Sequence, residues 1–380
     1  MLHFSFANLE IICCLLRNNI AYLARTLKFK FLPGFAKFID IIIMVFVTGA
    51  TGFIGAHLLY HLVNAGYDVV ALKRPMSDLT YVKRVFGFYT ADPEKYFKAV
   101  HWRTGNILEY ENLLAYTRDA DEIYHLSAMV SFRPGDKHKL LQTNILGTEN
   151  VINAALEHGI RKLAYVSSVS ALDPVRENQV ITEQAFGNFP QRYSNYAESK
   201  FKSELEVWRG VEEGLNAVVI NPSIVLGPFM PLKGPGALLK VIQKGIRFYP
   251  RGMTGFVDVR DVCHILLRLM QENFINEGFI VSEGNYAYKE LFQMIAEKMD
   301  SRIPHRELNP LITNIAWRIE RLRSFLFHQK PLVTKELHQS AHQKVRFSNK
   351  KIRHALGYQF MPLQQTIEDT LACMNKTQPV

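Results

Sequence analysis

Tyr196 and Lys200 stand four residues apart in Tyr-Ala-Glu-Ser-Lys. On a helix that spacing places the phenol and the ammonium on one face, about one turn apart. Upstream, Thr48-Gly49-Ala50-Thr51-Gly52-Phe53-Ile54-Gly55 has the glycine spacing of a strand-to-helix turn that cradles phosphate. A tyrosine titrates near ~10 in water, and a neighbouring cation favours its phenolate. Together the two segments describe a tyrosine that exchanges protons beside a bound dinucleotide.

The surrounding chain supplies the elements such a site needs. Residues 41–47 form an unbroken apolar run, as a parallel strand covered on both faces requires. Gly49 permits the tight turn, Gly52 lets backbone approach a pyrophosphate, and Gly55 allows close packing of helix on strand. Backbone N–H groups of Thr51, Gly52, Phe53 and Ile54 supply the anion site where a helix predicted over residues 53–65 begins. A second strand over residues 67–72 leads into Lys73-Arg74-Pro75. An acid at this point would hold a ribose 2′-hydroxyl, whereas two cations favour a 2′-phosphate, so NADP(H) is expected ahead of NAD(H).

Further strands are expected over residues 100–103, 122–126, 163–167 and 217–220, separated by helical stretches. That alternation predicts an α/β fold, a Rossmann-type doubly wound parallel sheet. Asn106 and Ile107, just past the third strand, should border the adenine. Leu126, Ser127 and Ala128 follow the fourth, where small residues let backbone pass close to the cofactor. His125 reads as a packed strand-end residue. Strand five runs out into Ser167, Ser168 and Ser170, whose hydroxyls face the crevice at the carboxyl ends of the strands. Asn144 lies on the helix before it.

In sequence order these segments, with Asn144-Ile-Leu-Gly-Thr148, Asn221-Pro222-Ser223, Phe256-Val-Asp-Val-Arg-Asp261 and Asn349-Lys-Lys-Ile-Arg-His-Ala-Leu-Gly357, resemble the extended short-chain dehydrogenase/reductase family from Met44 to near the C-terminus. Ser131-Phe132, Lys73-Arg74 and Tyr-x-x-Ser-Lys are most similar to its dihydroflavonol-4-reductase-like branch. The resemblance implies that Tyr196 is the general acid in carbonyl reduction and the base in alcohol oxidation. It implies that Ser168 stabilises the substrate oxygen, that Lys200 binds the nicotinamide ribose and depresses the tyrosine pKa, and that Asn144 supports a link behind the lysine. Pro222 and Ser223 would flank the nicotinamide. Gly105-Asn106 departs from the family's Gly-Asp, which weakens one adenine hydrogen bond. With Ser167, Ser168 and Ser170 all present, motif register alone selects Ser168.

Residues 44–221 are expected to form the dinucleotide half and residues 222–380 a smaller, mostly substrate-binding α/β lobe with a segment, residues 279–281, returning to the main sheet. Amphipathic helices are expected over residues 288–299 and 311–327. The formal charge is +10, and between Ser301 and Phe360 twelve Lys or Arg stand against three acids. Such asymmetry points to an anionic ligand or a membrane surface, and the absence of any nucleic-acid motif argues against DNA or RNA. Cys13, Cys14, Cys263 and Cys373 have neither metal-ligand nor disulfide-framework spacing. No metal is expected, and a reducing, cytoplasmic setting fits. Residues 1–43 stand outside the pattern. Met44 is the expected true start, with a surface-anchoring extension as the rival.

The sequence therefore predicts an NAD(P)-dependent enzyme acting on a small-molecule carbonyl or alcohol, and a homodimer is plausible through a long helix near residues 196–214. Its rival on the same scaffold is a nucleotide-sugar epimerase or dehydratase holding NAD tightly. The lack of an assignable arginine pair for a diphosphate counts against that rival. A non-enzymatic dinucleotide sensor would have no use for Tyr196 and Lys200.

Overall fold

Seven segments assemble into one parallel sheet, the central ones apolar and covered on both faces and the third, an edge strand, polar and exposed. They are β1 (Met44–Thr48), β2 (Asp68–Lys73), β3 (Val100–Thr104), β4 (Glu122–His125), β5 (Lys162–Val166), β6 (Ala217–Pro222) and β7 (Glu277–Val281). The computed structural model describes residues 42–173, 179–187, 194–232, 234–309 and 341–374, with Asn314, Trp317, Arg318 and Arg323. Strand order is β7-β6-β5-β4-β1-β2-β3, and every neighbouring pair is parallel. The direction of winding reverses between β1 and β4, and in such sheets the ligand crevice opens at that point, beyond the carboxyl ends of the strands.

Helices cover both faces. The ones that matter for the site are α1 (Phe53–Asn64), α2 (Leu79–Tyr89), α3 (Gly147–Glu157), α4 (Asn195–Glu212) and α5 (Val259–Gln271). Asp78, Ser194 and Asp258 cap α2, α4 and α5 by accepting from first-turn amides, which fixes where each begins. Beneath α3 and α4 the core joins Phe46, Ile123, Val151, Ile152, Tyr165 and Val207.

Past Pro222 the alternation gives way to a three-stranded sheet, Gly284–Ala287, Met253–Asp258 and Ile224–Leu226 in spatial order. Phe256 of this sheet packs with Leu291, Phe292, Ile295, Leu363 and Ile367 in a second core. The return of residues 279–281 to the main sheet is observed as β7, which pairs with β6.

Several expected boundaries move. The first strand starts at Met44 instead of residue 41, where its ladder with Asp68 begins. Strand five ends at Val166, so Ser167 and Ser168 lie wholly in the exit loop. Strand six continues to Pro222, whose partner is Val281. The long helix begins at Asn195 and ends at Glu212. Residues 1–41 lie outside the described residues, as does most of the helix expected over 311–327. Among the described residues no helix is long and apolar enough to cross a membrane.

Candidate active site

The glycine turn is shaped by contacts that leave no room for side chains. Gly49 has φ +70°, and a Cβ there would stand 2.6 Å from the Leu126 carbonyl carbon and 2.7 Å from the Ser127 nitrogen. A Cβ on Gly55 would stand 2.1 Å from the Gly49 carbonyl oxygen. Gly52, the N-cap of α1, is exposed and no side chain caps the helix, so the first-turn amides of α1 are open to a ligand. Such a cradle fits a dinucleotide pyrophosphate.

Around it, Thr51 Oγ1 donates to Ser77 Oγ at 3.3 Å, and Ser77 Oγ accepts from the Arg74 amide at 3.1 Å. Ser77, which the sequence did not single out, thus ties the Lys73-Arg74 loop to the glycine turn. Lys73 is half-buried at the end of β2 and Arg74 is exposed. Asn106 Oδ1 accepts from the Leu108 amide at 3.2 Å, while the Ile107 side chain is buried against Gly147. The Leu126 amide donates to the Thr48 carbonyl at 3.2 Å and the Ser127 amide to Thr48 Oγ1 at 3.3 Å, bringing this segment, which continues into Ala128, against the cradle. His125 bridges Thr48 and Thr148 inside the core, and burial lowers its pKa to about 3. It is a neutral packing residue.

Tyr196 and Lys200 lie on α4 facing the ends of β5 and β6. The Tyr196 phenol lies near the Ser168 hydroxyl, which lowers its pKa, and its ring meets Phe132 edge-on at 5.6 Å between centroids. Ser168 Oγ also donates to Ser170 Oγ at 3.2 Å. Ser167 is turned away: its hydroxyl donates to buried Glu204 at 2.5 Å. Of the three serines, Ser168 is the one beside the phenol.

Lys200, 3% exposed, donates to the Val166 carbonyl at 2.8 Å and lies over the Tyr165 ring at 4.9 Å. The expected lowering of the tyrosine pKa does not hold for the protein by itself. Burial pushes the phenol up to about 12, offset in part by the nearby Ser168 hydroxyl. The ammonium points to Val166 and Tyr165 and does not compensate. Burial also lowers Lys200 to about 8, with the Glu204 charge opposing.

Asn144 sits in a π-helical turn, Gln142–Leu146, a distortion that often marks functional positions. Its amide accepts from the Met129 N–H at 2.7 Å, donates to the Met129 carbonyl at 3.0 Å and donates to Ser199 Oγ at 2.9 Å. Asn144 thus joins the loop after β4 to the residue preceding Lys200, and its contacts are with Met129 and Ser199. Pro222 and Ser223 leave β6 beside this group, and the Ser223 amide donates to Val281 at 3.0 Å.

A cavity of about 420 Å³ lies in the C-terminal lobe, lined by Tyr249, Arg251, Lys289, Glu307, Lys344 and Arg346 among others. Arg251 pairs with Glu307 at 3.4 Å. Arg251 and Arg346, nearly a hundred residues apart in sequence, both line this cavity. Among the described residues no cluster of three His, Cys, Asp or Glu could hold a metal, and Cys263 and Cys373 are buried and form no disulfide.

The model of the NAD dependent epimerase/dehydratase family matches residues 45–281. A Synechocystis sp. protein provisionally named dihydroflavonol 4-reductase is 28% identical over 225 residues, 58% of this chain and 62% of that one. Cinnamoyl-CoA reductase 1 of Petunia hybrida is 25% identical over 347 residues, 88% of this chain and 92% of that one. The solved structure of gox2253 superposes with a TM-score of 0.74 at 25% identity, covering 88% of this chain and 98% of that one.

Proposed function

We propose, since the chain belongs to the NAD dependent epimerase/dehydratase family, that it is an oxidoreductase interconverting a ketone and a secondary alcohol. The observation that carries this reading is the Tyr196 phenol near the Ser168 hydroxyl, with Lys200 buried one turn behind it and bonded to the end of β5. When bound, the nicotinamide supplies or accepts the hydride. Tyr196 gives its proton to the substrate oxygen in reduction, and Ser168 donates to that oxygen as negative charge develops. A phenol held near 12 is fully protonated at neutral pH, the form that reduction requires. Lys200 and Asn144 would orient the ribose side of the site, and Pro222 and Ser223 would wall the nicotinamide.

Gly49, Thr51, Gly52, Phe53, Ile54 and Gly55 would hold the pyrophosphate, Asn106 the adenine edge, and Leu126 to Ala128 the adjoining ribose. Lys73 and Arg74 favour NADP(H), whose 2′-phosphate Ser77 is also placed to meet. Residues 44–221 serve the cofactor and most of 222–380 the substrate, in a cytoplasmic protein. Titration with NADPH and NADH, then a carbonyl screen followed at the nicotinamide absorbance, tests the reading. Turnover that survives Tyr196→Phe would refute it.

The cationic cavity favours a second reading, an epimerase or dehydratase acting on a phosphate-bearing sugar with tightly held NAD. Three of its cations, Lys289, Lys344 and Arg346, have no acid partner among the described residues. Denaturing the purified protein separates the two. Release of stoichiometric NAD supports the epimerase, and an empty supernatant supports the reductase.

A further inference from the structure

Tyr196, Lys200, Glu204 and Trp208 recur at every fourth position of α4 and share one face. Glu204 is only 2% exposed, an unusual place for a carboxylate that no role yet explains. Its Oε2 accepts from Ser167 Oγ at 2.5 Å and from Asn221 Nδ2 at 2.8 Å, and its Oε1 accepts from Trp208 Nε1 at 3.4 Å. The Asn221 amide group also donates to the Ser168 carbonyl at 3.2 Å. We propose that Glu204 is a positioning residue, which keeps Lys200 charged and clamps together the exits of β5 and β6 that carry Ser168 and Pro222.

The donor set defines the ionic state of Glu204. Indole N–H and amide NH₂ groups can only donate, and they reach both carboxylate oxygens, so the site is built for the anion. Burial raises the proton affinity of Glu204, while the three donors and Lys200 pull it back. Around Lys200 the titratable neighbours are His125 of β4, Tyr165 of β5, and Tyr196 and Glu204 of its own helix. Burial holds His125 and both tyrosines neutral. Among the described residues, then, Glu204 supplies the single opposing charge that offsets the burial of the ammonium.

The clamp has a geometric side as well. Ser167 and Asn221 each adjoin a residue of the reacting group, and one carboxylate oxygen binds both. Losing that oxygen would free Ser168 and Pro222 to move independently.

The inference rests on the role given above to Lys200, but its test needs neither substrate nor cofactor. Full-length protein labelled with ¹³Cε-lysine is titrated by NMR, with the Lys200 signal assigned through Lys200→Arg. In Glu204→Gln the Lys200 midpoint is expected to fall by about two pH units, the scale of a charge one helical turn (about 6 Å) away at an effective dielectric near ~20. Glu204→Asp is expected to restore it toward the parent value. Should Glu204→Gln show no cooperative melt, Glu204→Met is titrated in its place. A folded neutral variant with an unmoved midpoint overturns the proposal. Loss of turnover in Tyr196→Phe tests the catalytic reading separately.

Discussion

Lys200 directs its ammonium into the Val166 carbonyl, 2.8 Å away, and so pins α4 to the last residue of β5. The phenol one turn earlier on that helix is thereby held against Ser168, two residues beyond the same carbonyl. A helix and a strand end that meet in this way leave the proton donor little freedom before any substrate arrives.

Tyr196→Phe should lower kcat by about 10²–10⁴-fold, the usual range for a positioned general acid. NADPH affinity should change little, because the phenol faces the substrate side. Steady-state rates with a carbonyl found by screening, paired with fluorescence titration of NADPH, check both parts.

Gly55→Ala should destabilise the protein by about 1–3 kcal/mol, as overpacking does, since its Cβ would collide with the Gly49 carbonyl at 2.1 Å. It should also weaken NADPH binding, because any relief shifts the phosphate turn itself. Urea unfolding midpoints and cofactor titration measure the two effects.

Arg74→Ala should weaken NADPH binding about tenfold, the value of one exposed charge-assisted contact, and leave NADH unchanged. Equal affinities for the two cofactors in the parent protein would contradict the charge reading of Lys73 and Arg74.

The cofactor half was legible because its signals are local. Gly49, Gly52 and Gly55 announce a turn through spacing alone, and the apolar strands need no knowledge of their partners. Glu204 was not legible: in Lys-Ser-Glu-Leu-Glu-Val-Trp it resembles Glu206, which pairs with Arg209 at the surface. Only the packing of α4 on β5 and β6 turns one of these acids inward. The tyrosine pKa was misjudged for a related reason, since desolvation depends on cover from segments such as the Phe132 loop. The cationic cavity joins positions between 249 and 346 that no spacing rule connects.

Acid should destabilise the fold through its buried histidines. His57 and His125 have folded pKa values of about 3, lowered from 6.5 mainly by burial. Between those values the unfolded chain binds more protons, so stability rises with pH across the window. The contribution is complete above pH 6.5 and is lost as pH falls toward 3. Melting temperatures from pH 4 to pH 7.5 should climb accordingly, and His125→Gln should flatten part of that slope.

A crystal structure of the protein with NADP⁺ bears most directly on the proton-transfer site. The expected result places the nicotinamide ribose on Lys200 and its ring within reach of the Tyr196 hydroxyl, with the pyrophosphate at Gly52. A cofactor bound elsewhere, or a ring separated from that hydroxyl by protein, would contradict it.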